Sequence, residues 1–253
     1  MSPRRRGPRR CEGRQLSDWI VDCNVETYKR GRFFAYAYLK DPGTMDFAAA
    51  RKVMLDSQVR VNDVTDRDLQ AAMGAVERER FVAADRAFSA YADIEPEVAG
   101  DRRLMLPRNL GKLLQAADAR KGETALVIAG PYAAAVLARM GLTVTVQDSN
   151  AEVFEVTGAA LAEQGVQTVV APLGEPQGEG YDLIVSEAAV PGQPQAWINA
   201  LRPGGRLAVV ERTGPIGKAV LYVRGREGLS RRELFDATPP VLNELASQPE
   251  FAL

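Results

Sequence analysis

Histidine is missing from all 253 residues, which excludes His-based triads, His general bases and His metal ligands. Cysteine is nearly as scarce. Cys11 and Cys23 are the only two, too few for a disulfide framework or a zinc site, so a reducing cytoplasm is the expected setting. No apolar run approaches the roughly 18 residues that a membrane helix needs, and no metal site is expected. A net charge of −1 gives no reason to expect a membrane or nucleic acid as partner. Glycine is short at one telling place. Residues Thr124 to Ala138 read T-A-L-V-I-A-G-P-Y-A-A-A-V-L-A, an apolar strand, a tight turn and an alanine-rich helix. Nucleotide-binding α/β folds place several glycines in such a turn. Here only Gly130 stands, with Pro131 directly after it.

What is present divides the chain. Residues 1–44 carry ten Lys or Arg against five Asp or Glu, a net +5, leaving about −6 for the remainder. R-R-R-G-P-R-R has no periodicity and reads as disordered, and the segment lacks the apolar core of a secretory signal. It is an upstream-start artefact with Met45 the natural first residue, a neutral solvated tail, or a basic arm. From Met45 the texture changes. Phe47, Ala50, Val53, Met54 and Gln58 fit an amphipathic helix, widened by Leu55. Asn62-Asp63 marks a break, Thr65 reads as the next N-cap, and Leu69, Met73 and Val76 form a buried stripe. Pro96, Gly100 and Pro107 punctuate a loop-rich connection into a helix over 110–117.

After Gly122, strands and helices alternate. Strands are expected at 125–129, 142–146, 166–171, 181–185, 206–210 and 219–224, and helices at 133–140, 152–164 and 195–201. Residues 45–122 thus form a helical and loop region joined to a core over 123–253. That alternation predicts a mostly parallel sheet covered on both faces, with ligands bound at the carboxyl ends of its strands.

Four stretches resemble the protein-L-isoaspartate O-methyltransferase family, in order and at family spacing. Asp68 to Val82, D-L-Q-A-A-M-G-A-V-E-R-E-R-F-V, is similar to A-M-x-x-V-P-R-E-x-F-V. Ala90 to Asp93 resembles A-Y-x-D. Tyr181 to Pro194, Y-D-L-I-V-S-E-A-A-V-P-G-Q-P, resembles F-D-x-I-I-V-T-A-A-A-P-E-I-P, and Leu201 to Val209 matches L-K-P-G-G-R-L-V. The ending is similar to members from the alphaproteobacteria. The resemblance implies a Rossmann-like S-adenosylmethionine (SAM) methyltransferase fold with an N-terminal helical cap. The activity it implies is methyl transfer from SAM to the carboxylate of L-isoaspartyl residues in damaged protein. That chemistry needs no histidine, since the carboxylate is already ionised near pH 7.

The resemblance also locates the cofactor residues: Ala129, Gly130 and Tyr132 in the turn, Gln147 or Asp148 at the ribose, Gly174 near an adenine-side turn and Glu187 at the end of the fourth strand. Several depart from the family pattern. The turn is two residues short, and Val127 replaces an acidic residue. Gln147 stands where the family has glutamate, while Asp148 substitutes for it or caps the next helix with Ser149 and Asn150. Met105 stands at the serine of T-I-S-Q-P and Leu106 at its glutamine. Arg102, Arg103 and Arg108 could face a carboxylate or be exposed loop charge. Glu187 replaces threonine and could contact a cofactor amine or repel a substrate. Two functions follow, a methyltransferase with a degenerate site and weak activity, or a non-catalytic relative that keeps the fold for binding or scaffolding. A nicotinamide dehydrogenase shares only the layered fold, since no G-x-G-x-x-G follows any strand.

Overall fold

The computed structural model describes residues 39–41, 44–242 and 244–245, so the reading of residues 1–44 as an unstructured basic tail lies outside the described residues except at Leu39–Asp41 and Thr44, which are in strands. Two units are distinguished, divided between Phe47 and Ala48. In the first, β1 (Leu39–Asp41) pairs antiparallel with β2 (Thr44–Met45).

The second unit is built on a seven-stranded sheet. Its strands are β5 (Thr124–Ile128), β6 (Thr143–Asp148), β7 (Gln167–Val170), β8 (Tyr181–Val190), β9 (Leu201–Glu211), β10 (Gly217–Arg224) and β11 (Leu229–Ala237), in the order β11-β10-β9-β8-β5-β6-β7. Five run parallel, from β7 to β9, and β10 and β11 are added antiparallel at one edge. The parallel strands are short β-branched and aliphatic runs, and Ala125 to Ile128, Leu183 to Val185 and Leu207 to Val210 are all fully buried, as strands covered on both faces require. Helices α4 (Pro131–Arg139), α5 (Glu152–Glu163) and α6 (Gln195–Ala200) connect them. The expected α/β, Rossmann-like architecture is therefore present.

Three differences from the sequence reading have physical causes. β9 is longer than expected, because Pro203-Gly204-Gly205 bulges out of it instead of preceding it: Tyr181 pairs with Leu201 and Leu183 with Arg206. β8 is longer too, pairing on with β9 through Ala189 with Val210 and Val190 with Glu211 after a second register shift. Gly205 is required there, since a Cβ would lie 2.7 Å from the Tyr181 carbonyl. β11 was not expected at all. Its L-S-R-R-E is largely exposed, and an edge strand guarded by charge carries little hydrophobic periodicity. The strand predicted through Ala129 stops at Ile128.

Ahead of the sheet lie α1 (Phe47–Met54), a π-helical turn over Leu55–Val59, a 3₁₀ turn over Arg60–Asn62, and α2 (Arg67–Ala75). A hairpin of β3 (Glu97–Ala99) and β4 (Arg102–Arg103) leads into α3 (Pro107–Ala117). Leu69, Met73 and Val76 are buried as expected. The break at Asn62-Asp63 is also present, with Asp63 left-handed at φ 63°.

Thr65 is not the cap of α2. Its amide and that of Asp66 both donate to Gln115 Oε1, at 2.6 and 2.9 Å. The helix therefore begins one residue later, with Asp66 Oδ1 accepting from the Leu69 amide at 3.0 Å. Asp66→Ala should cost about 1 kcal/mol in urea unfolding. Thr65→Ala should stay within about 0.5 kcal/mol.

Candidate functional site

In a doubly wound sheet the crevice opens where strand order reverses. Here that point lies between the carboxyl ends of β5 and β8. β5 delivers Ala129-Gly130-Pro131 to it. Ala129, not the glycine, takes the left-handed conformation at φ 50°, while Gly130 is extended at φ −149° and precedes α4, with Pro131 in the first turn. A left-handed alanine is strained. Its amide is held by the Gln147 carbonyl at 2.9 Å.

β8 delivers Glu187, whose side chain turns inward and is 1% exposed. One carboxylate oxygen accepts from the Ala133 amide at 2.7 Å, in the first turn of α4, and the other from the Met105 amide at 3.0 Å. Gly130 makes room for it. A Cβ on that residue would lie 3.0 Å from Glu187 Cγ and 2.9 Å from Val127 Cγ1. Burial pushes the Glu187 carboxyl above the usual range, against the opposing effects of Arg78 and of the Ala133, Met105 and Tyr132 amides.

Arg78 was not singled out by sequence reasoning, although it lies inside the V-E-R-E-R-F-V stretch. It is 0% exposed. Nε donates to the Ala90 carbonyl and Nη2 to the Met105 carbonyl, both at 2.8 Å, and its guanidinium lies 4.7 Å above the Tyr132 ring. Burial lowers its pKa while Tyr132 and Glu187 raise it. Among the described residues, neither Arg78 Nη1 nor the buried Tyr132 hydroxyl makes a hydrogen bond. The only available signal was an arginine between apolar Val76 and Phe81, both of which are buried.

Met105 thus contributes its backbone, the amide to Glu187 and the carbonyl to Arg78, while its side chain is buried. The A-Y-x-D stretch also proves to be a brace. Tyr91 bonds Glu79 and Arg51, and Arg51 bonds Glu79 at 3.1 Å.

Gln147 is fully buried, with both donors and its oxygen bonded. Nε2 donates to the Pro172 and Glu175 carbonyls at 2.6 and 2.9 Å, and Oε1 accepts from the Gln177 amide at 2.9 Å. It staples the loop after β7. Leu173 of that loop joins the apolar cluster of Ile128, Ala129 and Trp197, and its carbonyl accepts from Trp197 Nε1 at 2.8 Å. Asp148 points elsewhere, pairing with Arg102 at 2.9 Å and accepting from the Asn150 amide at 2.9 Å. Arg102 is therefore a buried counter-ion, held also by Ser149 and Glu244, and not exposed loop charge. Arg103 is exposed, and Arg108 pairs with Asp93. Gly174 borders a cavity of about 390 Å³ with Val190, Pro191, Gln193, Trp197 and Leu245. None of the other residues expected around a cofactor lines that cavity.

The structure therefore brings Ala129, Gly130, Tyr132, Met105 and Glu187 into one buried cluster, beside the loop held by Gln147. Asp148 faces Arg102, and Gly174 the cavity. Among the described residues there is no helix long and apolar enough to cross a membrane, and no group of three or more His, Cys, Asp or Glu placed to hold a metal ion.

This crevice beside the first strand-to-helix turn of a parallel sheet marks a Rossmann-like methyltransferase fold. A chain from Plasmodium falciparum, described as a protein-L-isoaspartate O-methyltransferase in complex with S-adenosyl-L-homocysteine, superposes with a TM-score of 0.65 at 14% identity, covering 77% of this chain and 98% of that one. A second solved protein-L-isoaspartate O-methyltransferase gives 0.59 at 19% identity, covering 78% of this chain and 66% of that one. The family model described as protein-L-isoaspartate(D-aspartate) O-methyltransferase matches residues 50–224, and the chain belongs to that family. The Methylorubrum populi protein-L-isoaspartate O-methyltransferase is 34% identical over 76% of this chain and 92% of its own length. The Aeropyrum pernix one is 30% identical over 72% and 74%.

The family is dependent on SAM, and this conformation does not fit that group at the turn. The amides that would face a ligand are bonded to Glu187, Pro131 has no N–H, and both Gln147 donors are taken by loop carbonyls.

Gln147→Glu should therefore destabilise the protein, because a carboxylate would face two carbonyls. The cost is about 1–3 kcal/mol. Its folded pKa would lie above the unfolded value, so the deficit grows as pH rises and shrinks in acid. Urea unfolding at pH 5 and pH 8 measures both. An equal deficit at the two values would contradict the loop-staple role.

Proposed function

We propose that this chain is an S-adenosylmethionine-dependent methyltransferase of the isoaspartyl type, acting on L-isoaspartyl residues of damaged proteins and peptides in the cytoplasm, with low turnover. Family membership across residues 50–224 carries the reading. Low turnover is inferred from the crevice. For the crevice to open, Glu187 must leave the Ala133 and Met105 amides, and the loop must lift from Gln147. When the competent state is a small fraction of the population, apparent affinity falls by that fraction. Ala129, Gly130, Tyr132, Gln147, Gly174 and Glu187 are then the residues rearranged on opening, and Asp148 remains with Arg102.

One observation favours a second reading, that of a non-catalytic relative which keeps the fold for binding. The Gln147 amide donates to two loop carbonyls and the Ala129 and Ala133 amides of the turn donate to Gln147 and Glu187, so in the closed state these groups are bonded within the protein. Calorimetric titration with S-adenosylhomocysteine, together with a methylation assay on an isoaspartyl peptide, separates the two. The first reading expects binding near millimolar, about −4 kcal/mol, and slow, isoaspartate-dependent methylation. Absence of heat and of methyl transfer at millimolar ligand would establish the second.

A further inference from the structure

Helix N-termini in α/β folds bind anions, because their first amides are free and the helix dipole favours negative charge. α4 spans nine residues and starts at the crevice, so its N-terminus is the place for a ligand's anionic group. That place is filled from within. The Glu187 carboxylate accepts the Ala133 amide, and the Met105 amide completes it from the opposite side. Arg78, wholly buried with Nη1 making no hydrogen bond among the described residues, supplies positive charge to this cluster. The one remaining glycine of the turn is spaced for the Glu187 stem and not for a ligand.

We propose that Glu187 is a built-in surrogate ligand, a carboxylate of the chain itself seated in the anion site that the crevice offers to a small carboxylate from solution. The α4 N-terminus, the Met105 amide and buried Arg78 form a site for a monocarboxylate, and the Glu187 side chain occupies it permanently in the closed state. The inference deepens the proposed function by naming what holds the crevice shut, and to that extent rests on it. Its test involves neither cofactor nor methyl transfer.

Glu187→Ala removes the equivalent of one acetate ion from the site. The variant should lose on the order of 10 °C in Tm, since two amides lose their acceptor and a buried guanidinium the negative charge beside it. Acetate at about 100 mM should restore roughly 4 °C of it, the response to a ligand bound near 10 mM. Pivalate, of equal charge but too bulky for the space vacated, should restore none, and the unsubstituted protein should respond alike to both salts. Glu187→Thr, which keeps a hydroxyl acceptor, serves as the second variant and should show a smaller acetate response. An acetate effect no larger than that of pivalate, or equal in the unsubstituted protein, overturns the proposal. So does a Glu187→Ala variant that remains insoluble in acetate as in chloride. Failure of the methylation assay alone leaves these outcomes unaffected.

Discussion

A carboxylate buried at the point where a parallel sheet changes direction must be matched by donors, and much of this chain is arranged to supply them. Removing an ionised carboxylate from water costs several kcal/mol even after relaxation. At Glu187 two amides from separate segments and a nearby buried guanidinium offset part of that cost, and burial still holds its carboxyl above the usual range. Each of those partners is itself held. Ala133 belongs to α4, which starts there because Pro131 fits a first helical turn. Met105 is fixed between Glu187 and Arg78. Arg78 is fixed by the Ala90 carbonyl and the Tyr132 ring.

The same constraint explains why the segments of the N-terminal region look like family motifs while serving as scaffolding. V-E-R-E-R-F-V contributes Arg78 to the buried cluster and Glu79 to the brace with Arg51 and Tyr91. A-Y-x-D contributes Tyr91 and, through Ala90, an acceptor for Arg78. The two stretches are adjacent because each completes the other's hydrogen bonds. A polar network of this kind is stabilising only when it is nearly complete, so its members change together or not at all.

Much of the fold was legible in the sequence. Buried parallel strands announce themselves as short aliphatic runs, and Val144, Leu183 and Leu207 lie where their pattern put them. β11 was illegible because an edge strand of Ser, Arg and Glu buries almost nothing. The cap of α2 was misread because Gln115, fifty residues from Thr65, takes two amides that local reasoning assigned to a turn. The candidate site was legible in place but not in orientation. Position identified Glu187 and Gln147 as crevice residues, yet nothing local says whether a side chain turns toward ligand space or back into the protein. Arg78 was hidden for the opposite reason. Arginine is usually exposed or paired with an acid, and its burial here depends on two carbonyls distant in sequence.

The substitutions around the crevice form a connected set. Glutamate at 187 needs space, and Gly130 without a Cβ provides it. It needs donors, and the turn places the Ala133 amide of α4 within reach. In that turn Ala129 takes the left-handed conformation. The loop after β7 can then fold over it, burying Leu173 and leaving carbonyls that an amide side chain can bond but a carboxylate cannot. Glutamine at 147 and glutamate at 187 are thus two consequences of one closure. The two have separate partners, the loop after β7 for Gln147 and the Ala133 and Met105 amides for Glu187, so opening the crevice by substitution requires releasing both.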